Sequence, residues 1–335
     1  MNRSAAPWIL LSLLLTAALM AAGLRIGSFD TSYVLIWKAL TQYNSADPAQ
    51  LVLVQLRLPR LLLAFLAGGG LAFSGYLMQA MVNNSLADPY LIGTASGASL
   101  GAIICFSLFS TLTLAGFYLP PVAALAGGLV TTLVVVVLGT QRGQLIPAQL
   151  LLAGVAVSSL TTALGGLLTF RSTTEGKLRT VVFWAMGSFE RAGWDLLPYP
   201  AVALAVALVL FLFLQKDLSI LLLGEERAQA LGVNVARTRW LLVITASALT
   251  GCVVALCGPI GFVGLTIPHV TRWLLGVTGR ANLLFCALLG GNFLLACDLL
   301  ARLLYPPAGL PVGLVTALFG VPFFVYLLRK RDLRT

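Results

Sequence analysis

LPRLLLAFLAGGGLAFSGYLMQAMV, residues 58–82, carries a single charge, Arg60, and that charge stands at its start. A helix needs about 20 apolar residues to cross the hydrocarbon of a bilayer, so this stretch can cross one and offers almost nothing to water. The rest of the chain is of the same kind: 59% of its 335 residues are apolar, 10% are charged, and the mean hydropathy is +0.98. A soluble domain carries roughly 25% charged residues. The 21 basic and 11 acidic side chains here cannot cover a water-facing body of this size, so most of the outside must face lipid. The formal net charge of +10 would suggest nucleic acid on a soluble chain; here it reads first as loops that obey membrane topology.

Breaking the chain wherever charges, proline or polar clusters accumulate leaves about ten such segments. They fall near Trp8 to Gly23, Leu58 to Val82, Leu91 to Phe109, Leu119 to Leu138, Ala148 to Phe170, Leu196 to Leu214, Trp240 to Leu256, Phe262 to Leu275, Leu283 to Leu300 and Val312 to Leu328. The first has some marks of a signal peptide, but it is long and lacks a small-x-small cleavage site, so it reads as a retained span. An even number puts both termini on one side. With the termini inside, the inner segments hold Arg3, Arg142, Lys216, Arg227, Arg237, Arg239, Arg272, Arg280, Arg329, Lys330, Arg331 and Arg334, twelve basic residues against nine outside. That is the orientation the positive-inside rule favours. The segment from Arg171 to Asp195, with Trp184, Phe189 and Trp194 among its charges, suits an interfacial helix.

Small residues are placed rather than scattered. Gly93, Gly97 and Gly101 form a ladder on one face, and Gly70 with Ser74 repeats the spacing; such faces pack helices closely or line a path. GPIGFVGLTIPHVTRWLLG, residues 258–276, cannot be one straight helix, and irregular backbone at membrane depth survives only inside protein or beside a watery cavity. There His269 and Arg272 share a face, with hydrogen bonding the favoured role of the histidine. In GEERAQALGV, residues 224–233, Glu225 and Glu226 sit in the first turn of a short helix, Ala228 and Leu231 fall on one side, and Gly232 closes it. That is a surface element or a handle for a soluble motor. Arg57, Arg60 and Arg302 stand at the outer ends of spans; Arg302 can pair with Asp298 one turn earlier, or the three can receive an acidic partner.

Enzyme motifs are missing. There is no G-x-x-x-x-G-K-[ST], no H-E-x-x-H and no G-x-S-x-G. Cys105, Cys252, Cys257, Cys286 and Cys297 lie apart in apolar stretches with His269 the only histidine, so they read as small hydrophobes and no metal or other cofactor is expected. The spans also lack the buried acid chains of a proton pump. Uphill transport would need energy from another subunit; an ion-coupled secondary transporter is the alternative of another class.

Six stretches in order, RLPR at 57–60, G-x-x-L-A-x-S-G-x-x-M-Q at 68–79, N-x-L-A-D-P-Y at 84–90, GEERAQALGV, GPIGFVGLTIPH and LPVGLVTALFGVPFF at 310–324, resemble the FecCD family. These are permease subunits of type II ABC importers for iron siderophores, haem and cobalamin. Ser85 departs from the proline usual after the asparagine. The resemblance implies an all-α polytopic membrane protein with about ten transmembrane helices in a cobalamin-permease-like fold, a single permease domain over residues 1–335 with a coupling loop about 215–239. It implies an iron chelate as cargo, ferric siderophore or haem, with a corrinoid as alternative. Expected partners are a second permease subunit, giving a homodimer, two cytoplasmic ATP-binding subunits, a periplasmic binding protein and membrane lipid, with no nucleic acid. The expected place is the bacterial inner membrane, with both termini cytoplasmic. By similarity, Arg57, Arg60 and Arg302 would dock the binding protein, and Asn84 and Leu86 would stand at a cytoplasmic gate. Gly224, Glu225, Glu226, Arg227, Ala228, Leu231 and Gly232 would couple to the ATPase, and Ser158, Ser159, Thr162, Gly165 and Gly166 would line the pathway.

Overall fold

The computed structural model describes residues 5–27, 31–109, 113–114, 117–171, 175–221, 224–276, 281–306 and 309–332. Arg3, Arg280 and Arg334 of the orientation argument lie outside the described residues, as do the side chains of Lys177, Lys330, Arg331 and Asp332.

In chain order the helices are α1 (Ala6–Arg25), α2 (Tyr33–Thr41), α3 (Pro48–Leu51), α4 (Leu58–Val82), α5 (Thr94–Leu108), α6 (Leu119–Leu138) and α7 (Pro147–Arg171), then α8 (Glu175–Ala185), α9 (Pro198–Leu221), α10 (Glu225–Ala230), α11 (Val235–Cys257), α12 (Val263–Leu275), α13 (Asn282–Leu304) and α14 (Val312–Asp332). A π-helical stretch, Val52–Arg57, joins α3 to α4, and a 3-10 turn, Pro89–Ile92, precedes α5. Among the described residues strand occurs only as two loop hairpins, β1 (Thr113–Leu114) with β2 (Phe117–Tyr118) and β3 (Thr140–Gln141) with β4 (Gln144–Leu145). Each span read from the sequence falls on a helix. Among the described residues seven helices are long and apolar enough to cross a membrane: α1, the run from α3 through α4, α6, α7, α9, α11 and α13. The helix α5, at 15 residues, and α12, at 13, are shorter. The protein is an all-α, polytopic membrane protein.

The chain forms two compact units, Met1–Ala72 with Ser188–Val202 and Ile260–Thr335, and Phe73–Gly187 with Ala203–Pro259. The boundaries at 72 and 202 fall inside α4 and α9, so neither unit is a separable stretch of sequence.

In the first unit, α4 and α13 meet backbone to backbone: a Cβ on Gly68 would collide with the Gly290 carbonyl, and one on Gly290 with the Gly68 carbonyl. Lipid offers apolar side chains no reason to associate, so contact of this kind has to come from such small residues and from polar pairs. A polar clamp supplies the second part. Asn292 Nδ2 of α13 donates to Ser12 O and Ser12 Oγ of α1 at 2.9 and 3.0 Å, and Thr16 Oγ1 donates to Asn292 Oδ1 at 2.7 Å. The irregular backbone expected around residue 260 is present: Phe262 has φ 70° and α12 starts only after it, with the ring filling the space that a side chain at Gly320 would need. The ring of His269 meets Phe323 edge-on at 6.4 Å.

Pro59 shapes the entry to α4. In the π stretch the Leu58 N–H bonds to Leu53 O, one residue further back than in an α-helix, so Val54 O is passed over. Its next donor would be residue 59, and proline has none. The indole Nε1 of Trp194 takes that place, donating to Val54 O at 3.0 Å. The aromatic cluster expected on an interfacial helix is thus divided: Trp184 lies on α8, whereas Phe189 and Trp194 follow it in turns.

In the second unit α5 packs along α6. The glycine ladder serves this contact: Cβ atoms at Gly97 and Gly101 would collide with the Gly127 and Ala123 carbonyls. The core between them is mostly alanine, Ala95, Ala98, Ala102, Ala124 and Ala255, closed by Phe106 against Trp184. Of the Gly70 and Ser74 pair, Ser74 bonds to Ala246 O at 2.8 Å and Thr250 Oγ1 at 2.7 Å on α11.

These contacts separate two glycine positions. Gly68→Ala drives a methyl into the opposite backbone and should cost about 2 kcal/mol, the cost of overpacking. Gly166 of α7 has nothing within 4 Å of a Cβ, so Gly166→Ala should not lower the melting temperature in detergent and should raise it slightly through helix propensity. Equal melting temperatures for the two variants would refute the close crossing.

Candidate functional site

Arg57 and Arg302 turn inward onto the end of α1, and Arg60 joins Arg302 through Asp298. The last turn of α1 leaves carbonyls without intrahelical donors. Arg57 is buried, and its Nη1 donates to Leu24 O at 2.7 Å, Arg25 O at 3.2 Å and Thr31 Oγ1 at 2.9 Å. Arg302 Nη1 donates to Gly23 O and Ile26 O at 3.1 and 3.2 Å. Cations are also what the negative end of the helix dipole favours. Asp298, fully buried, is the counter-ion: it accepts from Arg60 at 2.9 Å and faces Arg302 Nε at 3.2 Å. The i, i+4 pair of Asp298 with Arg302 is therefore real, and Arg60 joins it. Where the sequence left a choice between pairing and facing a partner, the geometry gives these arginines internal partners, because α1 ends beside them with open carbonyls.

The loop from 83 to 93 belongs to the second unit. Asn84 Oδ1 accepts from the Leu86 N–H at 3.0 Å, a local turn formed without the family's proline. Asp88 caps the following 3-10 turn, accepting from the Tyr90 N–H at 2.8 Å with Pro89 in the first position. Burial pushes the Asp88 carboxyl up to about 6, against the lowering effect of that Tyr90 bond.

On α7, Ser159, Thr162 and Gly166 recur at helical spacing and lie exposed on one side, while Leu152, Leu160, Leu167 and Phe170 cover the neighbouring exposed side. Ser158 and Gly165 do not join that open side. Ser158 accepts from Ser96 Oγ at 3.1 Å, and Gly165 is buried against Ile103 of α5.

The segment from Gly224 to Val233 forms α10 with both glutamates in its first turn. It ends in a Schellman motif: the Val233 N–H returns to Ala228 O and the Gly232 N–H to Gln229 O, both at 3.0 Å, with Gly232 at φ 80°. Ala228 is fully buried, whereas Leu231, the last residue before the left-handed Gly232, is 63% exposed. Glu225 is held by Arg239 of α11 through both carboxylate oxygens, at 3.1 and 2.7 Å.

A family model described as the FecCD transport family matches residues 13–330. The chain belongs to this family. It is 38% identical to the hemin transport system permease protein of Yersinia pestis over all of both chains. It is 37% identical to the cobalamin import system permease protein of Halobacterium salinarum, over 90% of this chain and 81% of that one. A solved structure, described as an inward-facing conformation of a metal-chelate-type ABC transporter, superposes with a TM-score of 0.84 at 35% identity, over 97% of this chain and 99% of that one. The protein is thus a FecCD-type transport permease subunit rather than an enzyme, and among the described residues no group of three His, Cys, Asp or Glu side chains is arranged to hold a metal ion.

Two features of this FecCD permease escaped the sequence reading. The clamp on Asn292 had a usable signal, an amide in mid-span, which in lipid needs a partner. The β3–β4 hairpin had a weak one: Arg142 and Gly143 both have positive φ, 51° and 79°, the two-residue turn for which Asn-Gly is the usual sequence.

Two outcomes are expected. Asp298→Asn leaves Arg60 and Arg302 side by side without their counter-charge, and should cost about 3 kcal/mol, read as a lowered melting temperature in detergent. For Asp88 the folded state holds its proton up to about 6 while the unfolded chain releases it near 3.8. The folded state therefore binds more protons in that window, and stability falls as pH rises through it. Asp88→Asn keeps the capping oxygen and should melt higher than the parent at pH 7.5, with the difference vanishing near pH 4. A difference independent of pH would refute the assignment.

Proposed function

We propose that this chain is the membrane-spanning permease of a binding-protein-dependent ABC importer, and that it moves a metal chelate into the cell, an iron siderophore or haem before a corrinoid. What carries this reading is the 38% identity with a hemin permease over all of both chains. The similarity to a cobalamin permease at nearly the same identity supports the chelate class and keeps the corrinoid as the runner-up.

In this reading ten helices span the inner membrane: the seven long ones with α5, α12 and α14. Both termini are cytoplasmic. Two copies form a dimer around a central path, two ATPase subunits sit below it, and a periplasmic binding protein delivers the cargo. The exposed small face of α7, Ser159, Thr162 and Gly166, lines the path, with Ser158 and Gly165 holding α7 against α5. Asn84 and Leu86 belong to the inner gate. Gly224 to Gly232 form the ATPase contact, and the outward Leu231 is its apolar anchor. Arg60 and Arg302, drawn together by Asp298, present positive charge to acidic groups on the binding protein, while Arg57 supports them by capping α1.

The driving step is nucleotide binding, which closes the ATPase pair and moves α10. Residues of this chain perform no covalent chemistry on the cargo. They supply a dry, small-residue path and two alternative openings.

Reconstitution tests the reading. The chain, its ATPase subunits and its binding protein in liposomes should take up one of hemin, ferrichrome or cyanocobalamin only with internal ATP, and Leu231→Asp should lower that uptake about tenfold, the loss of a central apolar anchor. Uptake by the chain alone under an ion gradient would overturn the proposal in favour of a secondary transporter.

A further inference from the structure

Arg239 stands in the first part of α11, and its guanidinium is largely buried, with 12% of the side chain exposed. It touches two other elements. Nη1 and Nη2 form a fork on Glu225, the first residue of α10, at 3.1 and 2.7 Å. The same Nη1 reaches the carbonyl of Leu145, in β4, at 3.5 Å. We propose that Arg239 is the joint through which displacement of α10 reaches α7.

Stiffness on the far side of the joint supports this. β3 and β4 are linked by a two-residue turn with both central residues at positive φ, the tightest hairpin connection. Leu145 is buried, and only Ile146 separates it from Pro147, where α7 begins. The Ile146 N–H closes on Gly139 O at 3.0 Å. At the same level α6 and α7 are locked, since a Cβ on Gly139 would press on the backbone of Leu150 at 2.7 Å. A push on β4 is thus delivered to the base of α7 with little slack.

Stiffness on the near side is comparable. The α10 helix is one and a half turns, closed by a Schellman motif and seated on the buried Ala228, so it moves as a piece. A bidentate arginine–carboxylate pair fixes orientation as well as distance, which a single point contact does not. The result is a path from α10 through one guanidinium to the helix whose open face carries Ser159, Thr162 and Gly166. It rests on the reading of α10 as the ATPase contact.

The test uses the chain assembled with its ATPase subunits in nanodiscs. Four of the five cysteines are buried and Cys252 is half-buried, so a Cys252→Ser background leaves the core thiols unlabelled. A bimane fluorophore is placed at exposed Gln229→Cys on α10 or exposed Ala148→Cys on α7, and ATP with vanadate is added. In the parent both sites should respond. With Arg239→Gln the Gln229 site should still respond, while the Ala148 response falls about threefold, the population shift that loss of a partly exposed ion pair of ~0.7 kcal/mol produces. Arg239→Lys, which keeps a donor without the fork, should fall between them. Glu225→Gln, a change at an exposed side chain, should uncouple the Ala148 site in the same way and carries the test if Arg239→Gln does not assemble. An undiminished Ala148 response in Glu225→Gln and Arg239→Gln overturns the joint while the α10 reading stands. A parent whose Gln229 site ignores nucleotide overturns both.

Discussion

The carboxylate of Asp298 ties two arginines together and, through one of them, the end of α1. Gly23 and Leu24 at the end of α1 are buried, so their carbonyls have to find donors from elsewhere in the chain. Those donors are Thr31 and two guanidinium groups, and guanidinium groups taken out of water need an anion. Asp298 supplies it from α13, one turn before Arg302, and fixes Arg60 of α4 in the same act. Removing the acid would therefore disturb three helices. Removing Arg302 would also reopen the Ile26 carbonyl in the turn after α1.

The same constraint explains the different way the second unit is held. Its helices are joined less by charge than by missing side chains: the α5–α6 contact runs over Gly97, Gly101 and Gly127, and a core of alanine leaves room for backbones to touch. Hydroxyls bridge what remains, as between Thr94 and Thr132 at 2.8 Å. Contacts of this sort hold helices together at membrane depth without burying a charge.

How much of this was legible in the sequence follows from what each signal depends on. Spans were readable because hydrocarbon thickness sets a length that any run such as 58–82 either meets or does not. The breaks around Gly258 and Phe262 were readable because glycine and proline act locally. The short helix at GEERAQALGV was readable for the same reason, from two glutamates and a closing glycine. The exposure of Leu231 was not, since in a helix this short the burial of Ala228 does not extend to the residue that follows one turn later. The roles of Arg57 and Arg302 were not, because their partners are carbonyls, identical in every residue, lying 33 and 279 positions away. Arg239 was seen only as an inner charge, since a fork reaching Glu225 across 14 residues and a turn leaves no pattern.

The indole on Val54 has a consequence for how the entry to α4 can behave. A π turn is an α-helix with one residue too many, and such an insertion can migrate or be expelled if every displaced hydrogen bond finds a new partner. Here the relaxed register would send the Leu58 N–H to Val54 O, the acceptor that Trp194 occupies. The tryptophan supplies the donor that Pro59 cannot, so the surplus residue leaves no carbonyl unpaired at Val54. Arg57, the last residue of that π stretch, is the one that donates to the end of α1, so the indole underpins the turn from which this arginine reaches.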